Sequence, residues 1–161
     1  MRLSLRNLLF TVVVPGSGGV LIPWWILAHS HATLDPAAWY AVVVIVFGAL
    51  LYFWCLWVFA TVGRGTPGPW DPPQRFVAAG PYRWVRNPMY IAALLVVVGE
   101  TWLFRSLSLL AYAVVVAIVF HLFVIGYEEP ALGRRFGETY AEYRRTVPRW
   151  IPRLPGRSAM S

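Results

Sequence analysis

The feature that most constrains this chain is an apolar run from Trp39 to Val62 that contains no charged side chain. A helix of about 20 apolar residues is long enough to cross the ~30 Å hydrocarbon core of a bilayer. Hydrophobic residues make up 58% of the chain and charged residues only 13%, whereas a soluble domain carries about 25% charged residues. One small soluble core could not bury so much apolar surface. The sequence therefore predicts an all-α integral membrane protein.

Three further apolar segments have the same character, at about residues 8–28, 88–104 and 107–127. Only a few residues separate the last two, which predicts a tight antiparallel hairpin of helices. The first is interrupted by "PGSGG" at residues 15–19, which predicts a bend or a close helix contact there. Because its apolar run continues to Ala28 with no convincing cleavage site, we expect a retained span rather than a signal peptide. The sequence thus predicts one membrane domain, residues 1–161, with four transmembrane helices.

The basic residues predict which side of the membrane each loop occupies. All fourteen are arginines: two precede the first span, four lie between the second and third, seven follow the fourth, and Arg105 alone lies between the third and fourth. Because cytoplasmic loops are enriched in basic residues, we predict that both termini and the loop 63–87 are cytoplasmic. The net charge of +7 then indicates contact with lipid headgroups rather than with nucleic acid. With its bacterial style of length, the chain is expected in the inner or plasma membrane of a bacterium as a multi-pass protein.

The residues after the fourth span differ in pattern from the apolar segments. Between Glu128 and Arg145, the side chains of Leu132, Phe136, Tyr140 and Tyr143 recur at helical spacing with charges between them. That spacing predicts an amphipathic helix lying against the cytoplasmic face. The only cysteine lies in an apolar run, and no Cys/His cluster has metal-ligand spacing, so no metal site is predicted.

Two polar and aromatic segments are predicted to meet on the cytoplasmic side. One is "GPYRWVRNPMY" at residues 80–90, and the other is "YEEPALGRRFGETYAEYRRTVPRWIP" at residues 127–152. The hairpin brings them together, because Pro88 begins the third span and Tyr127 ends the fourth. Glu128 and Glu129 therefore emerge from the membrane where Arg86 enters it.

These segments resemble the isoprenylcysteine carboxyl methyltransferase and phospholipid methyltransferase superfamily of integral membrane enzymes. The first segment carries the family pattern in residues 80–92, and the second carries it in residues 127–152. The match covers about the last half of the chain, and the first two spans carry no such signature. The matching residues are Gly80, Pro81, Tyr82, Arg86, Pro88, Tyr90, Glu128, Glu129, Leu132, Phe136, Gly137, Tyr140, Tyr143, Val147, Pro148, Arg149, Ile151 and Pro152.

The resemblance implies methyl transfer from S-adenosylmethionine to a lipidic or otherwise hydrophobic acceptor that enters from the bilayer. The acceptor classes of the superfamily are prenylcysteine-like carboxylates and lipid amines. Carboxylates would bind the cofactor's amine or ribose, arginines its carboxylate, and tyrosine faces its adenine or sulfonium. The expected catalytic residues are Arg86, Asn87, Glu129 and Arg149. The expected cofactor-binding residues are Tyr82, Arg86, Asn87, Pro88, Tyr90, Glu128, Glu129, Tyr140, Tyr143 and Arg149.

Two positions depart from the family pattern. Asn87 stands where the family has histidine, and Ala92 stands where it has glycine. An amide can donate and accept hydrogen bonds but cannot act as a general base, so any proton-transfer role of that histidine is lost at Asn87. Ala92 adds one methyl group, which narrows the space for a neighbouring helix.

Other interpretations of the pattern remain open at this level. A reductase of the related sterol type would use NADPH, and a non-catalytic scaffold would keep the fold alone. Glu100 lies ~18 Å along the helix from Pro88, where it is either a functional group within the bilayer or, as we expect, an interfacial residue paired with Arg105.

Overall fold

The computed structural model describes residues 16–30, 32–63 and 76–153, and the described part is helical without strands. Predictions that concern residues 1–15, 31, 64–75 and 154–161 lie outside the described residues, among them the start of the first span and five of the counted arginines. The α-helices are α1 (Ile22–Ala28), α2 (Trp39–Val58), α3 (Pro88–Leu103), α4 (Leu107–Phe123) and α5 (Glu129–Thr146). Wider π-helical turns at Ser17–Leu21, Phe59–Gly63 and Val124–Glu128 adjoin them, and Gly80–Arg83 forms a 3₁₀ turn.

Two of these helical stretches are long and apolar enough to cross a membrane. They are Trp39–Gly63 and the apolar part of the continuous helical run Leu107–Thr146. Ser17–Ala28 and Pro88–Leu103 are apolar but shorter, and α3 is only ~24 Å long at 1.5 Å per residue. Most large apolar side chains of α2 and α4 are exposed on the isolated chain, as expected of surfaces that face lipid. The four-span topology and the sidedness of the loops stay predictions.

Helices α2 and α3 run antiparallel in close contact, because small residues stand where they cross. A Cβ built on Gly48 would lie 2.8 Å from the carbonyl oxygen of Ala92. A Cβ built on Gly99 would lie 2.5 Å from Cγ1 of Ile45 and 3.0 Å from the carbonyl oxygen of Ala41. Ala92 itself is fully buried. At position 92 the family has glycine on α3, and this chain has alanine. Gly48 of α2, which lies opposite, has no side chain, and the two backbones can therefore approach closely.

The 3₁₀ turn before α3 depends on glycine for two separate reasons. Gly80 has φ +57, and a Cβ there would lie 2.8 Å from Cγ2 of Val58. An L-residue is strained at that φ, and any side chain would also collide with α2. Beneath the turn, Tyr82 packs into a buried cluster with Cys55, Val58 and Val77. This cluster fixes the turn, and with it Arg86 and Asn87, against the end of α2.

The hairpin predicted between the third and fourth spans is present. Phe104, Arg105 and Ser106 connect α3 to α4, with Arg105 at φ 46. The Ser106 side chain caps α4 by accepting a hydrogen bond from the Leu109 amide at 3.2 Å. Such a cap satisfies one of the free amides of the first helical turn, so the short loop and the start of α4 are set by one serine.

The predicted pairing of Glu100 with Arg105 is not found. Arg105 lies nearest to Asp35 instead, with 3.6 Å between Nε and Oδ2. The Asp35 amide also donates to the Leu103 carbonyl at 2.9 Å, so the loop before α2 is held beside the end of α3 and takes the arginine. Oε2 of Glu100 is buried and has no hydrogen-bond partner among the described residues.

The "PGSGG" interruption produces a π-helical turn rather than a gap in the helix. Within it, the Gly18 carbonyl accepts a 2.8 Å hydrogen bond from the hydroxyl of Tyr112 on α4. In this π-helical turn the Gly18 carbonyl is accessible to a side chain of the neighbouring helix α4. A single side chain makes this contact, and among the described residues no atom of another element lies within 4 Å of a Cβ built on Gly19, so the expected bend or close helix approach stays a prediction.

Helix α5 follows α4 without a break and then turns back at a kink. Pro130 lacks the amide that a regular helix would use, and the π-helical turn Val124–Glu128 lies just before it. Gly137, at φ 53 and ψ −125, breaks the helical geometry inside α5, a conformation that glycine adopts without strain. The kink returns Tyr140 and Tyr143 towards the 3₁₀ turn, so segments 80–90 and 127–152 meet at one end of the bundle, here called the motif end.

Candidate functional site

The centre of the motif end is a buried ion cluster, here called the Glu129 cluster, formed by Glu129, Arg86 and Arg149. Arg86 Nη1 lies 2.8 Å from Oε1 of Glu129. Arg149 grips the same carboxylate with two bonds, Nε to Oε1 at 2.7 Å and Nη2 to Oε2 at 3.0 Å. Arg144 approaches Oε2 at 4.0 Å. Paired, charge-assisted bonds of this kind fix orientation as well as adding energy, so three sequence-distant segments are locked together here.

Backbone hydrogen bonds reinforce the same junction. The Arg86 amide donates to the Pro148 carbonyl at 2.9 Å, and the Arg153 amide donates to the Trp84 carbonyl at 3.0 Å. The side-chain amide of Asn87 donates to the Arg149 carbonyl at 3.1 Å. Asn87 therefore uses its hydrogen-bonding capacity on the chain itself, which an amide can do without titrating. The segment after α5 therefore lies along the residues that precede α3 and is hydrogen-bonded to them.

The charges of the Glu129 cluster reinforce one another. Burial raises the pKa of Glu129, but the hydrogen bond from Arg149 and the charges of Arg86, Arg149 and Arg144 outweigh burial and hold that pKa below its usual range. The bonds to Glu129 in turn raise the pKa of Arg149. A favourably placed opposite charge stabilises the ionised form of both partners. The cluster is therefore ionised throughout the physiological pH range.

The neighbouring carboxylate, Glu128, is in a different environment. Its Oε2 accepts a 3.0 Å hydrogen bond from the hydroxyl of Tyr90, and among the described residues no arginine lies within ion-pair distance of it. Burial raises the pKa of Glu128, the bond from Tyr90 lowers it, and the charge of Glu129 raises it further. The net shift is upwards. Two adjacent glutamates thus have pKa values displaced in opposite directions.

Aromatic rings cover one side of the cluster. The Phe76 ring centroid lies 4.9 Å from that of Tyr143, 5.3 Å from Phe136 and 5.9 Å from Tyr140. The hydroxyl of Tyr143 donates to the Tyr82 carbonyl at 2.7 Å. Burial raises the pKa of Tyr140 and of Tyr82, so these hydroxyls stay neutral. The rings form an apolar wall with polar edges beside three arginines.

The residues at the motif end fit the parts of S-adenosylmethionine. Guanidinium groups suit a carboxylate, and Nε of Arg86 is buried with no hydrogen-bond partner in the described part of the chain. Aromatic faces suit adenine and a positively charged sulfur, and the wall around Phe76 supplies them. Glu128, which has no ion-pair partner among the described residues, supplies a carboxylate that could bind the ammonium group or a ribose hydroxyl of the cofactor. A buried orphan donor beside a charged cluster is what a bound anionic group would satisfy.

Nine of the ten residues predicted for the site carry polar or aromatic groups at the motif end, although the Tyr82 side chain lies in the buried cluster with Cys55, and Pro88 carries none. Pro88 is fully buried at the first position of α3, where its fixed φ starts the helix. It makes no side-chain hydrogen bond, so its position is explained by structure alone. The ligand contacts of the other nine stay predictions.

Some residues of this end were not identified from the sequence. Phe76 lies in a loop with no periodic pattern, and no sequence signal places it against α5. Trp150 Nε1 lies 3.1 Å from Nδ1 of His121, a pair 29 residues apart that no spacing indicates. Arg144 is one of many tail arginines, and its closeness to Glu129 follows from the kink at Gly137. Tertiary contacts, not local pattern, define these positions.

Features elsewhere in the described residues offer less chemistry. A cavity of about 290 Å³ lies at the opposite end of the bundle, beside Asp35, Thr101 and Arg105. Its polar groups are a loose ion pair and hydroxyls, with no buried charge cluster. Among the described residues, no group of three or more His, Cys, Asp or Glu side chains is placed to hold a metal ion.

Comparison with known proteins agrees with the resemblance in the motif segments. The phospholipid methyltransferase family model matches residues 36–139. The chain is 35% identical over 78 residues to the cobalt-zinc-cadmium resistance protein CzcN of Cupriavidus metallidurans, a match that covers 48% of this chain and 36% of that protein. It is 36% identical over 64 residues to an uncharacterized protein of Haemophilus influenzae, covering 39% of this chain and 100% of that protein. No solved structure matches significantly.

The family match covers more than half of the chain and includes α2, α3, α4 and most of the Glu129 cluster. The two long apolar helices agree with a membrane location. The chain therefore belongs to the phospholipid methyltransferase family.

Proposed function

We propose that this protein transfers a methyl group from S-adenosylmethionine to a lipidic or hydrophobic acceptor, a lipid amine or a prenylcysteine-like carboxylate, at the motif end. The observation that carries the proposal is the Glu129 cluster, in which both motif segments converge on one buried carboxylate. When bound, S-adenosylmethionine supplies a methyl group activated by a positively charged sulfur.

The arginines of the motif end are proposed to hold the anionic part of the cofactor. Glu129 engages Arg86 and Arg149 at 2.7–3.0 Å, so it fixes their planes rather than offering a free carboxylate. Arg86 Nε and the half-exposed Arg144 then have donor groups to spare. A rigid set of donors loses little entropy when it binds a ligand, which is the basis of preorganisation.

The aromatic wall is proposed to hold the adenine or the sulfonium and to exclude water. Tyr140, Tyr143 and Phe76 lie against one another beside the cluster, and a cation over a ring face is stabilised by about 0.5–2 kcal/mol. Alignment and exclusion of water are the main contributions a protein makes to an in-line methyl displacement. Asn87 is proposed to position Arg149 through its carbonyl and takes no part in proton transfer.

The acceptor is proposed to arrive from the bilayer, and the motif end to face the cytoplasm of a bacterial cell. The exposed apolar faces of α2 and α4 support contact with lipid, and Arg86, Arg144 and Arg149 at the motif end agree with the positive-inside tendency. The two relatives named above come from bacteria. The orientation is tested by fusing a reporter of compartment to each terminus in turn. A periplasmic signal from both fusions would reverse the proposed orientation.

The function is tested by methyl transfer into lipid. Full-length protein in lipid nanodiscs is incubated with methyl-labelled S-adenosylmethionine and a bacterial lipid extract, and label is counted in the organic phase. We expect labelled lipid with wild-type protein and a loss of roughly 100-fold with Arg149→Ala, because misplaced cofactor groups lose alignment.

Arg145→Ala is the matched control, since Arg145 is an exposed arginine of the same segment, 3.7 Å from Glu138. It should retain the wild-type rate. No organic-phase label with wild-type protein would contradict the proposed function. Equal rates for Arg149→Ala and Arg145→Ala would place the site elsewhere.

A further inference from the structure

The cavity at the end of the bundle opposite the motif end, here called the opposite-end cavity, has no part in the proposed function. Its volume is about 290 Å³, and it opens between the loop before α2, the end of α3 and the start of α4. Helix α3, which runs from the motif end to this cavity, is ~24 Å long. A molecule bound in the opposite-end cavity therefore lies apart from the methyl-transfer site.

One side of the opposite-end cavity carries a carboxylate that is fixed in place. The Asp35 amide donates to the Leu103 carbonyl at 2.9 Å, and Oδ1 of Asp35 accepts a 3.0 Å hydrogen bond from the Ala37 amide. Oδ2 of Asp35 lies 3.6 Å from Nε of Arg105, which is longer than a hydrogen bond. Asp35 thus keeps one carboxylate oxygen for a further cation.

Two aromatic rings lie on the same side as this carboxylate. Tyr40 of α2 and Trp102 of α3 both line the cavity, and their ring centroids are 6.2 Å apart with an interplanar angle of 57°. The faces of tyrosine and tryptophan rings attract cations, and proteins use such rings to recognise quaternary ammonium ligands. Together with Asp35, the two rings suit an ammonium group.

The other side of the cavity carries a guanidinium with unused donors. The Arg105 side chain is 76% exposed, and its contact with Asp35 is the ion pair that it makes within the described part of the chain. Its backbone φ of 46 is uncommon for a residue other than glycine, and the amides of Arg105 and Ser106 hold the loop by donating to carbonyls of α3. A guanidinium can bind a phosphate through two parallel hydrogen bonds.

Apolar side chains adjoin both charged groups. Trp102, Leu107 and Leu110 line the cavity, and each of them is also exposed on the isolated chain. Exposed apolar and aromatic groups beside charges are typical of the membrane–water interface. A bilayer crossed by α3, which is shorter than the ~30 Å hydrocarbon core, has to thin or bring its headgroups inwards at the end of this helix.

From this arrangement we propose that the opposite-end cavity binds one membrane phospholipid with a zwitterionic headgroup. The phosphate lies on Arg105, the ammonium lies between Asp35 and the rings of Tyr40 and Trp102, and the acyl chains follow the apolar start of α4. Each charge of the loose ion pair then gains a closer partner of opposite sign. This lipid is a bound component and not the methyl acceptor, so the inference does not rest on the proposed function.

The test uses four lipid probes that share dioleoyl chains and differ in headgroup charge. They are phosphatidylcholine with both charges, phosphatidylglycerol with the phosphate alone, trimethylammonium-propane with the ammonium alone, and diacylglycerol with neither. The nitrogen of phosphatidylcholine is fully methylated, so this probe cannot be consumed as a methyl acceptor. Delipidated full-length protein in a nonionic detergent is titrated with each probe, and native mass spectrometry counts the bound lipids.

Wild-type protein should bind one phosphatidylcholine at saturation, about tenfold or more tighter than any other probe, because only this headgroup complements both sides of the cavity. Asp35→Asn should weaken that binding about tenfold and make phosphatidylglycerol the preferred probe, since the arginine alone remains. Arg105→Gln should weaken it similarly and make the cationic lipid the preferred probe, since the carboxylate and the rings remain. A general loss of structure would weaken all probes alike and could not exchange the preferences.

The matched controls change the other exposed ion pair, Arg145 with Glu138 at 3.7 Å. Glu138→Gln and Arg145→Gln should keep the wild-type order of probes, because this pair lies on α5 and not at the opposite-end cavity. S-adenosylhomocysteine should bind Asp35→Asn and Arg105→Gln as it binds wild-type protein, which also shows that the two variants are folded.

The inference is overturned if wild-type protein binds phosphatidylcholine no more tightly than diacylglycerol or phosphatidylglycerol. It is equally overturned if Asp35→Asn and Arg105→Gln keep the wild-type order of probes, or if the control variants change that order. An exchange of preferences in opposite directions by Asp35→Asn and Arg105→Gln supports it. Failure of wild-type protein to bind S-adenosylhomocysteine counts against the proposed function alone.

Discussion

The two ends of the helical bundle are held together by different forces. At the motif end, two partly buried hydrogen bonds join residues 43 and 62 positions apart in sequence: Arg86 donates to the Glu129 carboxylate, and the Asn87 side chain donates to the Arg149 carbonyl. At the opposite end, the ion pair of Asp35 and Arg105 is 3.6 Å long, and the Arg105 side chain is 76% exposed. Burying charge costs free energy unless it is fully paired. Among the described residues, a buried charge that is paired on both oxygens occurs at the motif end, as expected where a site and not merely a fold has to be specified.

The largest effect should follow from removing the shared carboxylate. Glu129→Gln leaves Arg86, whose side chain is only 11% exposed, as a buried charge without its counterion. We expect a loss of about 3–5 kcal/mol in the free energy of unfolding, measured by denaturation in mild detergent. Glu138→Gln should change it by less than about 0.5 kcal/mol. Similar values for the two variants would remove the distinction between the ends.

The same carboxylate should make the motif end sensitive to acid. The pKa of Glu129 is depressed in the folded state, so its contribution to stability is full above the unfolded value of about 4.3 and is lost as pH falls through the folded value. Wild-type protein should therefore lose stability below about pH 4.3, and Glu129→Gln should lose less over the same range. An equal acid slope in both proteins would contradict the assignment.

The opposite end should respond to packing rather than to charge. In Gly99→Ala the new methyl group would meet Ile45 Cγ1 at 2.5 Å and the Ala41 carbonyl at 3.0 Å, so α2 and α3 must separate. We expect a loss of about 1–3 kcal/mol. Gly126→Ala is the control, because outside its own stretch of helix backbone no described atom lies within 4 Å of the added carbon, and it should be neutral or slightly stabilising. A neutral Gly99→Ala would show that this interface is looser than described.

One hydrogen bond at the aromatic wall should have a smaller effect. Tyr143→Phe removes the 2.7 Å bond to the Tyr82 carbonyl but keeps the ring against Phe76. The expected cost is about 0.5–1.5 kcal/mol. Tyr127→Phe, at an exposed tyrosine, should cost nothing measurable in the same denaturation series. Equal effects would mean that the tyrosine bond does not hold the kinked part of α5 in place.

The smallest effect is expected from the exposed ion pair. Asp35→Asn removes the charge opposite Arg105, and exposed pairs contribute about 0–1 kcal/mol. Thermal unfolding in low and high salt checks this, because salt screens exposed pairs more than buried ones. A loss comparable with that of Glu129→Gln would show that both ends depend on charge.

The helices could be predicted from the sequence more fully than the site. The starts of α3 at Pro88 and α4 at Leu107 coincide with the predicted boundaries, because a proline and a capping serine mark them locally. The meeting of Arg86 with Glu129 was anticipated from the hairpin, which sets the two segments side by side. These successes rest on signals that lie within a few residues of the feature they predict.

The rest depends on contacts that sequence does not display. The contact of Phe76 with Tyr143 requires the kink at Gly137. The backbone angles of a single glycine in a tail segment cannot be predicted from the sequence. Arg105 was assigned to Glu100, but the loop before α2 brings Asp35 closer. Glu128 and Glu129 differ in environment because Tyr90 contacts the first, whereas Arg86 and Arg149 contact the second. Adjacent identical residues cannot be told apart by pattern.

The most direct test of the central claim is calorimetric titration of the purified full-length protein with S-adenosylhomocysteine. If the motif end holds a sulfonium cofactor, wild-type protein should bind this product in a saturable one-to-one isotherm that Arg149→Ala abolishes and Arg145→Ala preserves. Saturable binding of NADPH with no heat from S-adenosylhomocysteine at millimolar concentration would contradict the account and point to a reductase.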